Sequence, residues 1–118
     1  EILTNSITNS AYFSEEVIAR SVKMLNNLTA ELDLMRPSML ETGLETIAYN
    51  INRKNTSISF FEMGKVYGKS GNGKYYESEQ LAIYISGKQN ADGWRTKAQP
   101  ADFFVAKGLA TALFKLST

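Results

Sequence analysis

The stretch from Leu34 to Tyr67 constrains the fold most, because an extended entry, a helical period and a strand follow one another directly. The residue before a proline is pushed out of helical φ/ψ, so Arg36-Pro37-Ser38 is predicted to be extended. Ser38 and Glu41 have the spacing of a capping box, in which a hydroxyl accepts a helix amide and a carboxylate reaches back to the cap. This pattern predicts a helix that begins near Leu40.

The predicted helix carries its apolar residues at helical period, which indicates one buried stripe. These residues are Leu40, Leu44, Ile47, Ala48 and Ile51. A strand rich in aromatic and branched side chains is predicted over Ser57–Tyr67, with Phe61 and Glu62 on opposite faces. Apolar groups on both faces predict a strand that is covered on both sides and is not an edge. Gly64 lies inside this strand and weakens it unless another group approaches closely.

The rest of the chain adds a hairpin and a last helix. A Gly-rich loop follows the strand, and alternating apolar residues over Glu79–Ser86 predict an antiparallel partner strand. The last helix is predicted to begin near Asp102, with one buried side made of Phe103, Ala106, Leu109, Ala110, Leu113 and Leu116. These elements predict an α+β fold, an antiparallel β-sheet flanked by helices.

Composition excludes several classes of function. The chain has 118 residues, 43% of them hydrophobic, and a net charge of +1, which is typical of one globular domain. It has no cysteine and no histidine, so thiolate zinc sites, Ser-His-Asp catalysis and histidine proton transfer are excluded. No apolar run approaches the length of a membrane span, so a cytoplasmic protein is expected. The chain begins at Glu1 without Met, so residues 1–118 are expected to be a single-domain fragment of a longer protein.

Several short stretches occur in an order that is known from one family. They are Glu1–Ser6, Asn26 with Leu28-Thr29, Arg36-Pro37-Ser38, Asn50–Arg53, the strand Phe61–Tyr67, and Asp102-Phe103-Phe104 with Lys107-Gly108. In this order they resemble the class II aminoacyl-tRNA synthetase core, and within it the beta chain of bacterial phenylalanyl-tRNA synthetase. The residues of the structural family motif are Arg36, Pro37, Ser38, Glu41, Glu62, Gly64, Asp102, Lys107 and Gly108.

The resemblance also implies what this chain lacks. In catalytic class II synthetases the strand continues from its aromatic residue into Arg-x-Glu, whereas Gly68 and Ser70 stand at those positions here. Lys69 is one residue away, and strand geometry points it to the opposite face. The resemblance therefore implies a non-catalytic, synthetase-like module without catalytic, cofactor-binding or metal-binding residues. Its expected partner is a catalytic alpha chain, in a heterotetramer that uses ATP and Mg²⁺ to charge tRNA with phenylalanine.

Other hypotheses remain open for particular residues. Gly68 to Lys74 matches a P-loop except at Tyr75, but a phosphate loop needs a following helix and a hydroxyl there. Arg36 is expected to bond carbonyls or a carboxylate such as Glu62, rather than to face an amino-acid pocket as in catalytic relatives. An acid–base set of Glu62, Asp102 and Lys107 is disfavoured, because charged residues at helix starts and strand ends are usually caps or surface pairs.

The first hypothesis for the whole chain is a scaffold and subunit-interface module of the synthetase. The alternative is a regulatory, ligand-binding paralogue of a class II core. A true catalytic core is a third possibility, against which the missing arginine at Gly68 argues.

Overall fold

The computed structural model describes residues 1–88, 93–95, 97 and 99–117. In chain order the elements are β1 (Ile7–Thr8), a 3-10 turn (Ser10–Tyr12), α1 (Glu15–Ala19), β2 (Leu34–Met35), α2 (Leu40–Asn52), β3 (Ile58–Lys69), β4 (Tyr75–Ser86) and α3 (Phe103–Ser117). Helix α1 begins where the Ser14 hydroxyl accepts the amide of Val17. The predicted positions of α2, β3 and α3 are confirmed to within two residues.

The strands form two small antiparallel sheets. In the first, Ile7 of β1 lies opposite Met35 of β2, and Thr8 lies opposite Leu34. In the second, β3 and β4 are hydrogen-bonded neighbours joined by a short loop, inside which the Ser70 amide donates to the Lys74 carbonyl at 2.8 Å. The α+β class is confirmed, with two separate two-stranded sheets rather than one continuous sheet.

The described residues divide into two compact units. The first unit consists of Glu1–Thr46 and Phe61–Ala82, and its buried apolar side chains are Leu34, Met39 and Val66. The Arg36 amide donates to the Ser6 carbonyl at 2.9 Å, and the Tyr67 amide donates to the Arg36 carbonyl at 3.0 Å. The extended entry predicted at Arg36 therefore connects the N-terminal segment to β3.

The second unit consists of Ile47–Phe60 and the chain from Ile83 onward. Its buried apolar residues are Ile58 and Tyr84, and the Tyr84 ring lies 5.1 Å from the Phe60 ring, centroid to centroid. The Arg53 guanidinium lies over the Tyr49 ring at 3.5 Å, a cation–π contact at the end of α2.

The predicted buried stripe of α2 is wrong for the chain alone. Leu44 is 51% exposed and Leu40 is similarly exposed, whereas the buried positions of this helix are Thr42 and Gly43. The predicted buried side of α3 is wrong in the same way, because none of that helix's described residues is buried. Periodicity identifies an apolar face, but whether another element of the same chain covers that face depends on tertiary packing.

Strand β3 has one covered face and one open face. Ile58, Glu62 and Val66 are buried on one side, whereas Phe61 and Met63 on the other side are exposed. The prediction that both faces are covered and that the strand is no edge is therefore wrong within the described part of the chain. Among the described helices, none is long and apolar enough to cross a membrane.

Candidate functional site

A buried ion pair between Arg36 and Glu62 lies at the centre of the first unit. Their side chains are each 2% exposed, and Arg36 Nη1 lies 3.3 Å from Glu62 Oε1. Arg36 Nε also donates to the carbonyl of Lys65 at 2.8 Å. The expectation that this arginine bonds a carbonyl and the Glu62 carboxylate is therefore confirmed, and both charges are compensated within the chain.

Thr4 completes this cluster. Its amide donates to Glu62 Oε1 at 2.9 Å, and its hydroxyl lies 2.8 Å from Glu62 Oε2. The same hydroxyl lies 2.8 Å from Arg36 Nη1 and accepts a hydrogen bond from it. Burial alone raises the pKa of Glu62, but the bonds from Thr4 and the charge of Arg36 outweigh it, so the pKa is lowered. The carboxylate is held ionised, which suits a structural charge and not a proton donor.

Gly64 allows the guanidinium to lie against β3. A Cβ at this position would overlap Arg36 Nη2 and would come within 3.2 Å of the Met39 methyl group. The close approach predicted for this glycine is therefore present. The structure thus brings three members of the sequence motif, Arg36, Glu62 and Gly64, into one contact cluster.

The predicted capping box at the start of α2 is wrong. The Ser38 hydroxyl accepts the amide of Leu40 at 3.0 Å, and not the amide of Glu41. Glu41 Oε2 is buried without a hydrogen-bond partner in the described structure. The physical reason is that the helix begins at Leu40, so Ser38 is too far upstream to cap the third helical amide and instead closes a local turn after Pro37.

Asp102, Lys107 and Gly108 belong to α3. Asp102 Oδ1 accepts the amide of Val105 at 3.1 Å, so this residue caps the N-terminus of the helix that the sequence predicted to begin near it. Lys107 and Gly108 are exposed on the helix. Asp102 is therefore engaged by its own helix and Glu62 by Arg36, which accounts for both acids of the disfavoured acid–base set.

The resemblance aligns Gly68 and Ser70 with the Arg and Glu positions of catalytic synthetases, and the structure shows the environment of both residues. Gly68 is buried, and a Cβ at this position would overlap the Tyr76 phenol, so the ring occupies the space that a side chain would need. The Ser70 hydroxyl is bonded inside the hairpin loop, to Asn72 and to the Lys74 carbonyl. The residues present therefore do not fit an ATP phosphate at this place, which needs preplaced positive charge.

Besides a cleft of about 380 Å³ that is lined by residues of β3 and β4, the first unit has two further clefts. One, of about 330 Å³, is polar and is lined by Thr4, Asn5, Thr8, Glu31, Glu45 and Thr46 among others. The other, of about 190 Å³, lies beside Gly68 and Tyr76. Within the described residues, no three acidic side chains group together in a way that could hold a metal ion.

Sequence reasoning missed the role of Thr4. Its segment, Glu1–Ser6, is one of the ordered motifs of the resemblance, but nothing in its composition indicates a buried partner 58 residues away. It also missed Asp33, whose carboxylate accepts the amide of Ser10 at 2.9 Å and its hydroxyl at 2.7 Å. These bonds lower the pKa of Asp33, the hydroxyl bond most strongly.

Comparison with known proteins gives a consistent result. Residues 1–117 match the family described as phenylalanyl tRNA synthetase beta chain CLM domain. The phenylalanine–tRNA ligase beta subunit of Bacteroides fragilis is 34% identical over 126 residues, which cover 98% of this chain and 15% of that protein. The Streptococcus thermophilus beta subunit is 40% identical over 90 residues, 74% of this chain and 11% of that protein. The chain therefore spans about 15% or less of the length of these relatives.

Proposed function

The chain belongs to the family of phenylalanyl-tRNA synthetase beta chain CLM domains, and from this premise we propose that it is a non-catalytic scaffold and subunit-interface module. Residues 1–118 form one domain of a longer beta chain, with a class II synthetase-like core. Its partner is the catalytic alpha subunit, in a heterotetramer of two alpha and two beta chains. The whole enzyme charges tRNA with phenylalanine in the cytoplasm and uses ATP and Mg²⁺, whereas this module binds neither.

The observation that carries the interface proposal is the exposed apolar surface of α3. Phe104 is 74% exposed, and the same helix exposes Phe103, Phe114 and Leu116. Contiguous exposed apolar surface is typical of interaction sites, and aromatic residues are enriched at the cores of interfaces. The apolar residues Leu40 and Leu44 of α2 are exposed as well. A scaffold that is completed by a partner subunit accounts for such surfaces.

The proposal that this module has no catalytic role is supported by the partners of its buried charged residues. Arg36 and Glu62 compensate each other in the interior, and each accepts or donates further bonds inside the chain. Gly68 is covered by a phenol ring where a catalytic relative needs a cation. The motif residues of this chain therefore act as structural residues, and the reacting groups belong to the alpha subunit.

Co-purification tests the interface proposal directly. The tagged chain is expressed together with the alpha chain of the same organism, as wild type, as Phe104→Glu and as the control Thr111→Glu. Phe104→Glu is expected to abolish recovery of the alpha chain, because it places a charge in an apolar contact. Thr111 lies seven residues after Phe104, on the same face of the helix, but Thr111→Glu adds the same charge without removing an aromatic contact and is expected to reduce recovery less.

Circular dichroism spectra should be the same for all three chains, since both replaced side chains are exposed. Failure of the wild-type chain to retain alpha under conditions in which both are folded would refute the proposal. So would an alpha-free parent chain that charges tRNA alone.

The polar cleft of about 330 Å³ in the first unit favours one alternative, a regulatory paralogue that binds a small ligand. Four threonines and two asparagines line it, and Glu31 and Glu45 supply negative charge for a ligand amine. Calorimetry with phenylalanine separates the two functions. Binding that is lost in Glu45→Gln supports the alternative, and no binding supports the scaffold.

A further inference from the structure

The hairpin tip has a composition unlike the rest of the chain. Residues 67–76 read Tyr-Gly-Lys-Ser-Gly-Asn-Gly-Lys-Tyr-Tyr, with three tyrosines, two lysines and no acidic residue. Aromatic residues interleaved with cations are typical of surfaces that bind single-stranded nucleic acid. The P-loop likeness of this segment fails because β4 follows it, so its chemistry needs another explanation.

A cleft of about 190 Å³ opens at the base of this tip. Its lining includes Arg20, Ser21, Tyr67, Gly68, Lys69 and Tyr76. The Lys69 amide donates to the Arg20 carbonyl at 2.8 Å, which fixes the end of α1 against the hairpin. The cleft lining contains two cationic residues and no acidic residue, whereas Glu31 and Glu45 line the larger polar cleft and Glu79 lines a third. We use the name basic tip for Arg20 together with residues 67–76.

No carboxylate among the described residues forms an ion pair with the cations of the basic tip. The ion pairs in the described structure are Arg36–Glu62 and Lys65–Glu77, and neither involves Arg20, Lys69 or Lys74. Glu77 is the first acid after the tip, and its carboxylate lies 2.7 Å from the ammonium of Lys65. Three cationic residues, each with its charge uncompensated by an ion pair, are thus brought into one region of a chain whose net charge is only +1.

From these observations we propose that the basic tip binds the phosphodiester backbone of single-stranded RNA, with a base stacked on Tyr75. The inference rests on the proposed function, because a tRNA ligase is the context that presents RNA to this surface. Arg20, Lys69 and Lys74 neutralise phosphates. Tyr75 is 71% exposed and adjoins Lys74, so its ring is free to stack on a base. The attraction between these cations and phosphate is expected to weaken as the salt concentration rises.

An acidic segment of a protein partner would use the same three cations. It would not need an exposed ring beside them, because carboxylates gain nothing from stacking. The presence of Tyr75 and Tyr76 next to Lys74 therefore favours RNA. Acidic peptide binding is the competing outcome that the experiment must distinguish.

The test uses the full-length protein that carries this domain, purified in its natural assembly. A short oligouridylate with one 4-thiouridine is crosslinked to the protein, and the crosslinked peptide is identified by mass spectrometry. The expected peptide contains residues of the segment 67–76. Affinity is measured in parallel by fluorescence anisotropy of the labelled oligonucleotide over a range of salt concentrations.

Two variants and one control define the expected result. Lys69→Gln/Lys74→Gln should reduce the slope of log affinity against log salt by about 1.4, at roughly 0.7 for each single-strand phosphate contact. Tyr75→Ala should weaken binding about tenfold with an unchanged slope, because it removes stacking and no charge. Lys54→Gln/Lys97→Gln makes the same charge change at exposed positions outside both the tip and α3 and should bind as wild type does.

Each contrary result overturns the inference. Equal weakening by the control pair would indicate attraction by net charge alone. Crosslinks outside 67–76, or unchanged binding in the Lys69/Lys74 variant, would place the RNA elsewhere. Competition by oligoglutamate at lower concentration than oligouridylate would assign the surface to an acidic protein segment. Recovery of the alpha chain, measured on the same variants, is expected to be unchanged. If the wild-type protein failed to recover the alpha chain, the proposed function would be refuted. If it recovered the alpha chain but did not bind RNA, only this inference would be refuted.

Discussion

Replacing Glu62 by glutamine removes one charge from the buried cluster and changes little else. Glutamine keeps the shape of the side chain. Its carbonyl can still accept a hydrogen bond from the Thr4 amide, which lies 2.9 Å from Glu62 Oε1 in the wild-type chain. Arg36 would remain 2% exposed and charged, with its bonds to the Lys65 carbonyl and the Thr4 hydroxyl, both at 2.8 Å. The variant therefore isolates the effect of the missing negative charge.

The expected loss of stability is about 3 kcal/mol. Removing one partner of a buried ion pair typically costs ~3–5 kcal/mol, because the other charge stays buried without compensation. The two hydrogen bonds that Arg36 retains place this site at the lower end of that range. With a urea dependence of ~1–3 kcal/mol per molar, the unfolding midpoint should fall by roughly 1–3 M. Urea titration followed by far-ultraviolet circular dichroism measures it.

A double-mutant cycle identifies the cause. In an Arg36→Met background, Glu62→Gln leaves no buried cation without its partner. The substitution should therefore cost less than about 1 kcal/mol there, and the coupling free energy between the two residues should be about 2 kcal/mol. Glu77→Gln is the control, because the Lys65–Glu77 pair is exposed and such pairs contribute little. A cost for Glu62→Gln below about 0.5 kcal/mol, or an equal cost in both backgrounds, would refute the argument that the pair is energetically coupled.

Three further predictions concern packing and pH. Gly64→Ala should lower the free energy of unfolding by about 1–3 kcal/mol, because the added methyl group would overlap the Arg36 guanidinium. The control Gly71→Ala, with open space around it, should change that free energy by no more than about 0.5 kcal/mol. Equal urea midpoints for the two variants would contradict this prediction. Met39→Ala should lower the free energy of unfolding by about 2–5 kcal/mol, because Met39 is only 3% exposed. Leu44 is 51% exposed, so Leu44→Ala should cost about 1 kcal/mol or less in the isolated chain. A reversed order of the two urea midpoints would show that the helix face is wrongly assigned. The pKa of Glu62 is lowered in the folded chain, so the ionised carboxylate stabilises the fold fully above its ordinary pKa of 4.5, and this stabilisation is lost as pH falls through the folded pKa. Glu62→Gln should lack this loss of stability in an acid titration. An acid unfolding profile parallel to that of the wild type would contradict the prediction.

The elements that sequence predicted correctly are those fixed by local chemistry. Helix α2 begins at Leu40 because a proline-bounded entry precedes an amphipathic run, and α3 begins after the cap at Asp102. The contact between Arg36 and Glu62 was also predictable, because a long cation and a carboxylate inside apolar segments need compensation. Gly64 marked the position where the arginine comes close, since a glycine inside a strand calls for such a neighbour.

The predictions that failed depended on contacts far apart in sequence or on small shifts in position. The capping box at Ser38 failed because α2 begins at Leu40, one residue later than a cap at Ser38 requires, a difference within the usual uncertainty of helix ends. Thr4 was missed because its partner Glu62 is distant along the chain and its segment carries no distinguishing pattern. Periodicity indicated correctly that α2 has an apolar face, but it could not indicate which chain covers that face.

The exposure of Leu40 and Leu44 of α2 follows from the packing of the first unit. The buried side of β3 is occupied by Glu62 with Arg36 and by Val66, so this side is complete without α2's apolar stripe. Thr42 and Gly43 are the α2 residues that are buried, and small or polar residues suffice there. Leu40 and Leu44 of that helix are therefore half exposed in the chain alone, and the phenylalanines of α3 are exposed further, although exposing apolar side chains to water costs free energy. Helical periodicity on faces that residues 1–118 leave exposed is expected where a partner surface covers those faces, and this expectation is the physical basis for the proposed interface with the alpha subunit.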